Sequence, residues 1–173
     1  MKKLVYGVGL NDTVGMSQTI EYKTWYYMLK LAKFVLKKSV EDGISAEFKT
    51  FSKFRDWYLK QAGCGEKGFC ITERLSDRIN KQFNSNMCVL VPRQIYTLCK
   101  DKESFAIKYR DYSDSYDVYI SSNYQKLIGN LKTRDEALLA YQNTAKEYIE
   151  ELLNKYRDKL DNRVVAALQN FTL

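Results

Sequence analysis

Thr133-Arg134-Asp135-Glu136 restricts this chain more than any other stretch. A Thr followed three residues later by Glu, ahead of an apolar run, is a capping box. The hydroxyl and the carboxylate each satisfy a backbone donor that a helix start leaves open. Behind it, Ala137, Tyr141, Ala145, Tyr148 and Leu152 recur down one side of a long helix. Ahead of it lie three strand-like runs, Phe105 to Arg110, Tyr116 to Ser121 and Gln125 to Leu131. Ser113-Asp114-Ser115 and Ser122-Asn123-Tyr124 join them, short polar connections of the kind that close hairpins. A three-stranded meander can take the helix stripe on one face and keep the other free.

The first half reads differently. Between Glu21 and Lys38, Trp25, Met28, Leu29, Ala32, Val35 and Leu36 fall at three- and four-residue intervals, an amphipathic helix. Its other face carries Lys23, Lys30, Lys33 and Lys37, which either follow a phosphate backbone or form an ordinary solvated face. A second helix covers Phe54, Trp57 and Tyr58, with Ser52 expected as its cap and a glycine-rich loop, residues 63 to 68, at its end. Cys88-Val89-Leu90-Val91 before Pro92 predicts a buried strand, then a turn or helix start. A chain of 173 residues can bury one ordinary core or two small ones.

Charge narrows the partners. The chain carries 28 Lys and Arg against 21 Asp and Glu, a formal +7 that favours a polyanion without naming it, or else serves solubility with no partner. The excess is uneven: residues 1 to 60 hold 11 basic and 6 acidic side chains, whereas residues 132 to 173 hold 7 of each. No run is long enough for a membrane span, and the apolar start stops at Gly7, too early for a signal peptide. Cys64, Cys70, Cys88 and Cys99 lie 6, 18 and 11 residues apart, without CxxC pairs. With no His in the chain, a structural zinc would need all four thiolates, so the cysteines read as reduced and cytoplasmic.

Several segments, taken in order, resemble one family. Gly7-Val8-Gly9-Leu10-Asn11-Asp12 is similar to its opening, Tyr22 to Lys30 to its tryptophan helix, and Phe48 to Tyr58 to its repeated aromatic segment. Cys88 to Pro92 resembles its nuclease-core strand, and Leu127 to Tyr141 its module signature. The family is that of phage HNH homing endonuclease-like proteins with a C-terminal APETALA-type DNA-binding module. The resemblance implies an α+β fold: a ββα-type nuclease scaffold with N-terminal helices over residues 1–100, then a three-stranded antiparallel sheet packed on a long helix over 101–173.

It also implies a degenerate active site. Thr72 and Arg74 stand where the family has aspartates, Ile79 replaces a glycine beside the retained Asn80, and Tyr96 falls where an asparagine is expected. HNH chemistry needs a divalent ion on oxygen or imidazole ligands and a base, normally His, to activate water. This sequence has no His. The expectation is a scaffold without catalytic residues, metal or cofactor. Glu73, Asp77 and Asp101 are the carboxylates that a divergent nuclease would use instead.

In the family's module the sheet lies in the DNA major groove. Carried over by position, the outward side chains are Lys108 and Arg110 on the first strand, Tyr119 and Ser121 on the second, and Lys126 and Asn130 on the third. Ile107, Val118, Ile120, Ile128 and Leu131 become core, and Gly129 a bend that lets the strand approach DNA. Arg pairs with guanine edges, Asn with adenine edges, and Lys and Ser with phosphates or bases. Alanine variants at Arg110 and Asn130 are expected to fold normally and lose discrimination. The function this implies is sequence-specific occupation of double-stranded DNA, most simply as a transcriptional repressor in a phage or phage satellite. A divergent nuclease and a protein-binding inhibitor of a host or competing-phage factor are the alternatives. A homodimer is compatible with this reading, and the sequence names no protein partner.

Overall fold

The computed structural model describes residues 4–34, 43–73, 82–100, 107–119 and 126–170, without the side chains at 99, 100, 126 and 127. Helices and strands are mixed, and the chain divides into two compact units, Met1–Val91 and Pro92–Leu173.

The first unit is built on aromatic packing. Helix α1 (Ile20–Phe34) buries Trp25, Met28, Leu29 and Ala32, and α2 (Phe51–Tyr58) buries Phe51, Phe54 and Tyr58. Val35, Leu36 and Lys37, expected on the same helix, lie outside the described residues. The Trp25 indole donates to the Phe48 carbonyl at 2.7 Å, so the largest core side chain leaves no buried donor open. Rings of Trp25, Phe48, Phe51, Phe54 and Trp57 meet at centroid distances of 4.8–5.5 Å in tilted or edge arrangements.

The GVG opening has a steric reason. Gly7 takes φ 83°, and Gly9 is pressed so closely on α1 that a Cβ would stand 2.3 Å from Leu29 Cδ1 and 2.9 Å from Trp25 Cζ2. The turn closes through Val5 N–H to the Gly9 carbonyl and Gly9 N–H to the Val5 carbonyl. Leu10 then pairs in parallel with Thr50.

The cap of α2 differs from expectation. Thr50 occupies the cap position without a side-chain bond, and Ser52 is itself a donor, through N–H and hydroxyl, to the Asp12 carboxylate. A negative group at a helix N-terminus is favourable whichever residue supplies it. After α2, Gly63, Gly65 and Gly68 all have positive φ. Strands β1 (Phe69–Thr72) and β2 (Val89–Pro92) form a two-stranded sheet, and β2 is buried throughout.

In the second unit, α3 (Arg93–Lys100) starts directly after Pro92, and Tyr156 donates to its Gln94 at 3.3 Å. Strands β3 (Ile107–Arg110), β4 (Ser115–Tyr119) and β5 (Lys126–Leu131) form an antiparallel meander in the order β3-β4-β5. A 3₁₀ turn over Asp111–Ser113 and a left-handed Asp114 join the first two strands. The sheet packs on α4 (Arg134–Tyr156), whose Thr133–Glu136 capping box is complete. Val118, Ala137, Tyr141 and Ala145 form a buried cluster between the sheet and α4, with Ile107, Tyr116, Ile128, Leu131 and Tyr148 packed around it. Helix α4 also buries Ile149 and Leu153, one position off the expected Tyr148 stripe. Helix α5 (Asn162–Gln169), capped by Asp161, ends the described chain.

Candidate nucleic-acid interface

Antiparallel register decides which side chains share a face. Ile107 lies opposite Val118 and Tyr109 opposite Tyr116, and Ile107, Val118 and Tyr116 pack toward α4. The intervening pairs, Lys108 with Asp117 and Arg110 with Ser115, therefore belong to the other face, as does Tyr119. Lys108 is exposed, while Ser121 lies outside the described residues and the Lys126 side chain is not described.

This face is more structured than a row of free donors. Arg110 Nε–H donates to Asp117 Oδ2, and Arg110 Nη2–H donates to the Tyr119 hydroxyl at 2.6 Å. The Tyr119 hydroxyl in turn donates to Asp117 Oδ2 at 3.2 Å. These bonds, that to Asp117 foremost, raise the guanidinium pKa. Asp117 is 1% exposed, so Arg110 and Tyr119 cover a carboxylate that needs them. Removing Arg110 takes a charged partner from that carboxylate, so Arg110→Ala would probe stability together with reading.

What remains of Arg110 for a ligand is defined by geometry. Nε and Nη2 form the side-on fork of a guanidinium, and both are occupied by the sheet. The end-on edge, Nη1 and the outer Nη2 hydrogen, points away from Asp117. The Arg110 side chain is 29% exposed, and its guanidinium carbon lies 5.8 Å from the ring centroid of the highly exposed Tyr112.

Asn130 has a backbone role. It is exposed with φ 63°, in the left-handed region. Between the pairs Tyr116 with Leu131 and Val118 with Ile128, β5 carries one residue more than β4, a bulge that contains Gly129 and Asn130. The left-handed residue is thus Asn130. Asparagine reaches this conformation more readily than other non-glycine residues.

Sequence reasoning missed Asp117 and Ser115, both 1% exposed on the outward face. A signal was available: in an antiparallel pair, an acid on one strand opposite Lys108 and beside Arg110 is a cross-strand charge pair.

Of the degenerate positions, Thr72 ends β1 fully buried, Tyr96 is half-buried on α3, and Arg74 and Asn80 lie outside the described residues. Glu73 is 4% exposed; Asp77 and Asp101 lie outside the described residues. Among the described residues no three His, Cys, Asp or Glu side chains gather where a metal could be held. Among the described residues Cys64, Cys70 and Cys88 form no disulfide, and the Cys64 and Cys70 thiols donate to the Leu59 and Val91 carbonyls, each at 3.6 Å. No helix among the described residues is long and apolar enough to cross a membrane.

No family model, curated protein or solved structure matches the chain.

On α1, Lys23, Lys30 and Lys33 are exposed, opposite the buried Trp25 stripe. They do not stand alone: Tyr26, Tyr27 and Phe34 are exposed on the same side. Tyr6 lies against two of these rings, 4.9 Å from Tyr26 and 5.6 Å from Phe34 between centroids. Its hydrogen bond with Tyr26 is the main cause that pushes the Tyr6 hydroxyl up to about 12. Lys33 Nζ donates to the Tyr6 carbonyl at 3.1 Å and lies 5.7 Å from the Phe34 ring centroid.

Proposed function

We propose that this protein binds double-stranded DNA in a sequence-dependent way through the outward face of its β3-β4-β5 sheet. On this reading the rest of the chain is a nuclease-derived scaffold that does not cleave. The observation that carries the reading is Arg110. Its side-on fork is held by Asp117 and Tyr119, so its end-on edge is oriented before any ligand arrives. A guanidinium already ordered loses little entropy on forming a bidentate contact with guanine O6 and N7. Lys108 beside it supplies a phosphate contact, and the major groove admits a small β-surface. Zero His removes the usual base of HNH chemistry. Occupation of a promoter blocks polymerase without further activity, so repression is the simplest use of such a binder.

The test begins with selection of duplexes from a random pool, followed by titration of the selected and a random duplex. Arg110→Lys keeps a positive charge over Asp117 but removes the planar fork. It is expected to weaken the selected duplex by about tenfold to a hundredfold, in line with ~1–3 kcal/mol per bidentate base contact, and the random duplex little. Equal affinity of parent and Arg110→Lys for the selected duplex removes the sheet as reader. A preparation that nicks plasmid in Mg²⁺ or Mn²⁺, and loses this with Glu73→Gln while staying folded, makes the protein a divergent nuclease.

A further inference from the structure

One surface remains that duplex reading by the sheet does not use. Along α1, Lys23, Tyr27, Lys30 and Phe34 follow one another at four-, three- and four-residue steps, the spacing of a single row on a helix. Tyr26 and Lys33 lie beside the row. Tyr26 is 43%, Tyr27 46% and Phe34 59% exposed, too much apolar ring surface for a face whose task is solubility. The helix has one acid, Glu21, and its carboxylate is turned to Arg55 of α2 at 3.3 Å. With Tyr26 and Lys33 included, this face of α1 joins three ammonium groups to three aromatic rings and carries no carboxylate from the helix.

We infer that this face of α1 binds single-stranded DNA, the lysines following its phosphates and the rings stacking on its unpaired bases. A duplex hides its base faces, so exposed rings contribute nothing to tracking its backbone, whereas a single strand offers both phosphate and base face. Tyr27 and Phe34 are seven residues apart, roughly 10 Å along the helix at ~1.5 Å per residue. That is close to three nucleotides of a stacked strand at ~3.4 Å per charge, so the two rings serve different bases. Tyr6 braces Tyr26 and Phe34, and the Lys33–Tyr6 bond ties the same turn to the helix, so much of the face is ordered beforehand. The tyrosine hydroxyls and ammonium groups of the face could also meet a 2′-hydroxyl, so the assignment to DNA rests on the DNA reading proposed for the sheet. A second copy on this face would set lysine against lysine across a two-fold axis.

The test uses the full-length protein with a labelled oligothymidylate, an oligouridylate of equal length and a random duplex, read by anisotropy over a salt series. Oligothymidylate is expected to bind more tightly than the duplex does at this face. Tyr27→Ala and Phe34→Ala should each weaken it about tenfold, consistent with the usual worth of one stacked base, and leave duplex affinity unchanged. Tyr27→Phe keeps the ring and should bind like the parent. Lys23→Glu with Lys30→Glu should flatten the salt dependence. Circular dichroism confirms that each variant is folded. Unchanged oligothymidylate affinity in both alanine variants overturns the inference. So does tighter binding of oligouridylate, or self-association that Tyr27→Ala abolishes. Arg110→Lys should leave oligothymidylate binding intact, so failure here and failure of duplex reading are distinguishable.

Discussion

Asn130 meets two demands with one side chain. Its left-handed backbone favours Gly or Asn, and its exposure on the third strand is what a base contact requires. Alanine removes both properties at once and cannot separate them. Asn130→Gly keeps the backbone conformation and removes the amide, so its folding stability should match the parent closely, whereas Asn130→Ala should lose about 1 kcal/mol. Urea midpoints of the two variants check this. If Asn130→Gly also binds a selected duplex as tightly as the parent, the residue serves only the bulge. Gly9 makes the converse case, because its missing side chain is what α1 needs. Gly9→Ala should cost roughly 1–3 kcal/mol, since Leu29 can shift but the buried Trp25 ring has little room. Smaller loss in thermal unfolding would mean that the opening turn rides away from α1 at low cost.

At the scale of elements, local signals were legible wherever a segment's own residues decide its form. The Thr133–Glu136 box, the α4 stripe and the three strands follow from spacing and side-chain chemistry within a few residues, and the structure has all of them. Thr133→Ala should destabilise by about 1 kcal/mol, read from the urea midpoint. What sequence did not give was set by distant partners. The α2 start takes its carboxylate from Asp12, 40 positions away from Ser52, and Arg110 is committed by an acid on the neighbouring strand, a pairing that shows only once β3 and β4 are set in register. The loop bonds of Glu47 are of this second kind as well. Its carboxylate accepts from Ser85 N–H at 2.9 Å, and this bond is the main cause that lowers its pKa. The sign follows directly: a depressed folded pKa contributes stability above the unfolded value near ~4.3 and loses it as pH falls through the folded one. Glu47→Gln should therefore flatten the acid side of the stability profile below about pH 4. Urea midpoints at pH 7 and pH 3 that change in parallel for parent and variant would show that this bond does not contribute.

For the whole molecule, the question is whether duplex binding draws on a metal or on charge alone. A bound ion would need ligands that gather, and among the described residues no three His, Cys, Asp or Glu side chains do. The +7 net charge supplies attraction without any ion, but pairing reduces what the sheet can offer. Arg110 is neutralised in part by Asp117, so Lys108 is the clearest free cation on the described part of that face. Two outcomes follow for one titration series. In EDTA and in Mg²⁺ at matched ionic strength, duplex affinity should be the same, because Mg²⁺ then acts only as a counterion. With increasing salt the affinity should fall, and Lys108→Ala should reduce the slope of log affinity against log salt by about 0.9, the loss of one phosphate contact. A parent protein that binds only in Mg²⁺ would point to a metal bridging protein and phosphate, and charge alone would not account for the affinity. An unchanged slope in Lys108→Ala would move the phosphate contacts off this sheet face and onto other cations of the chain.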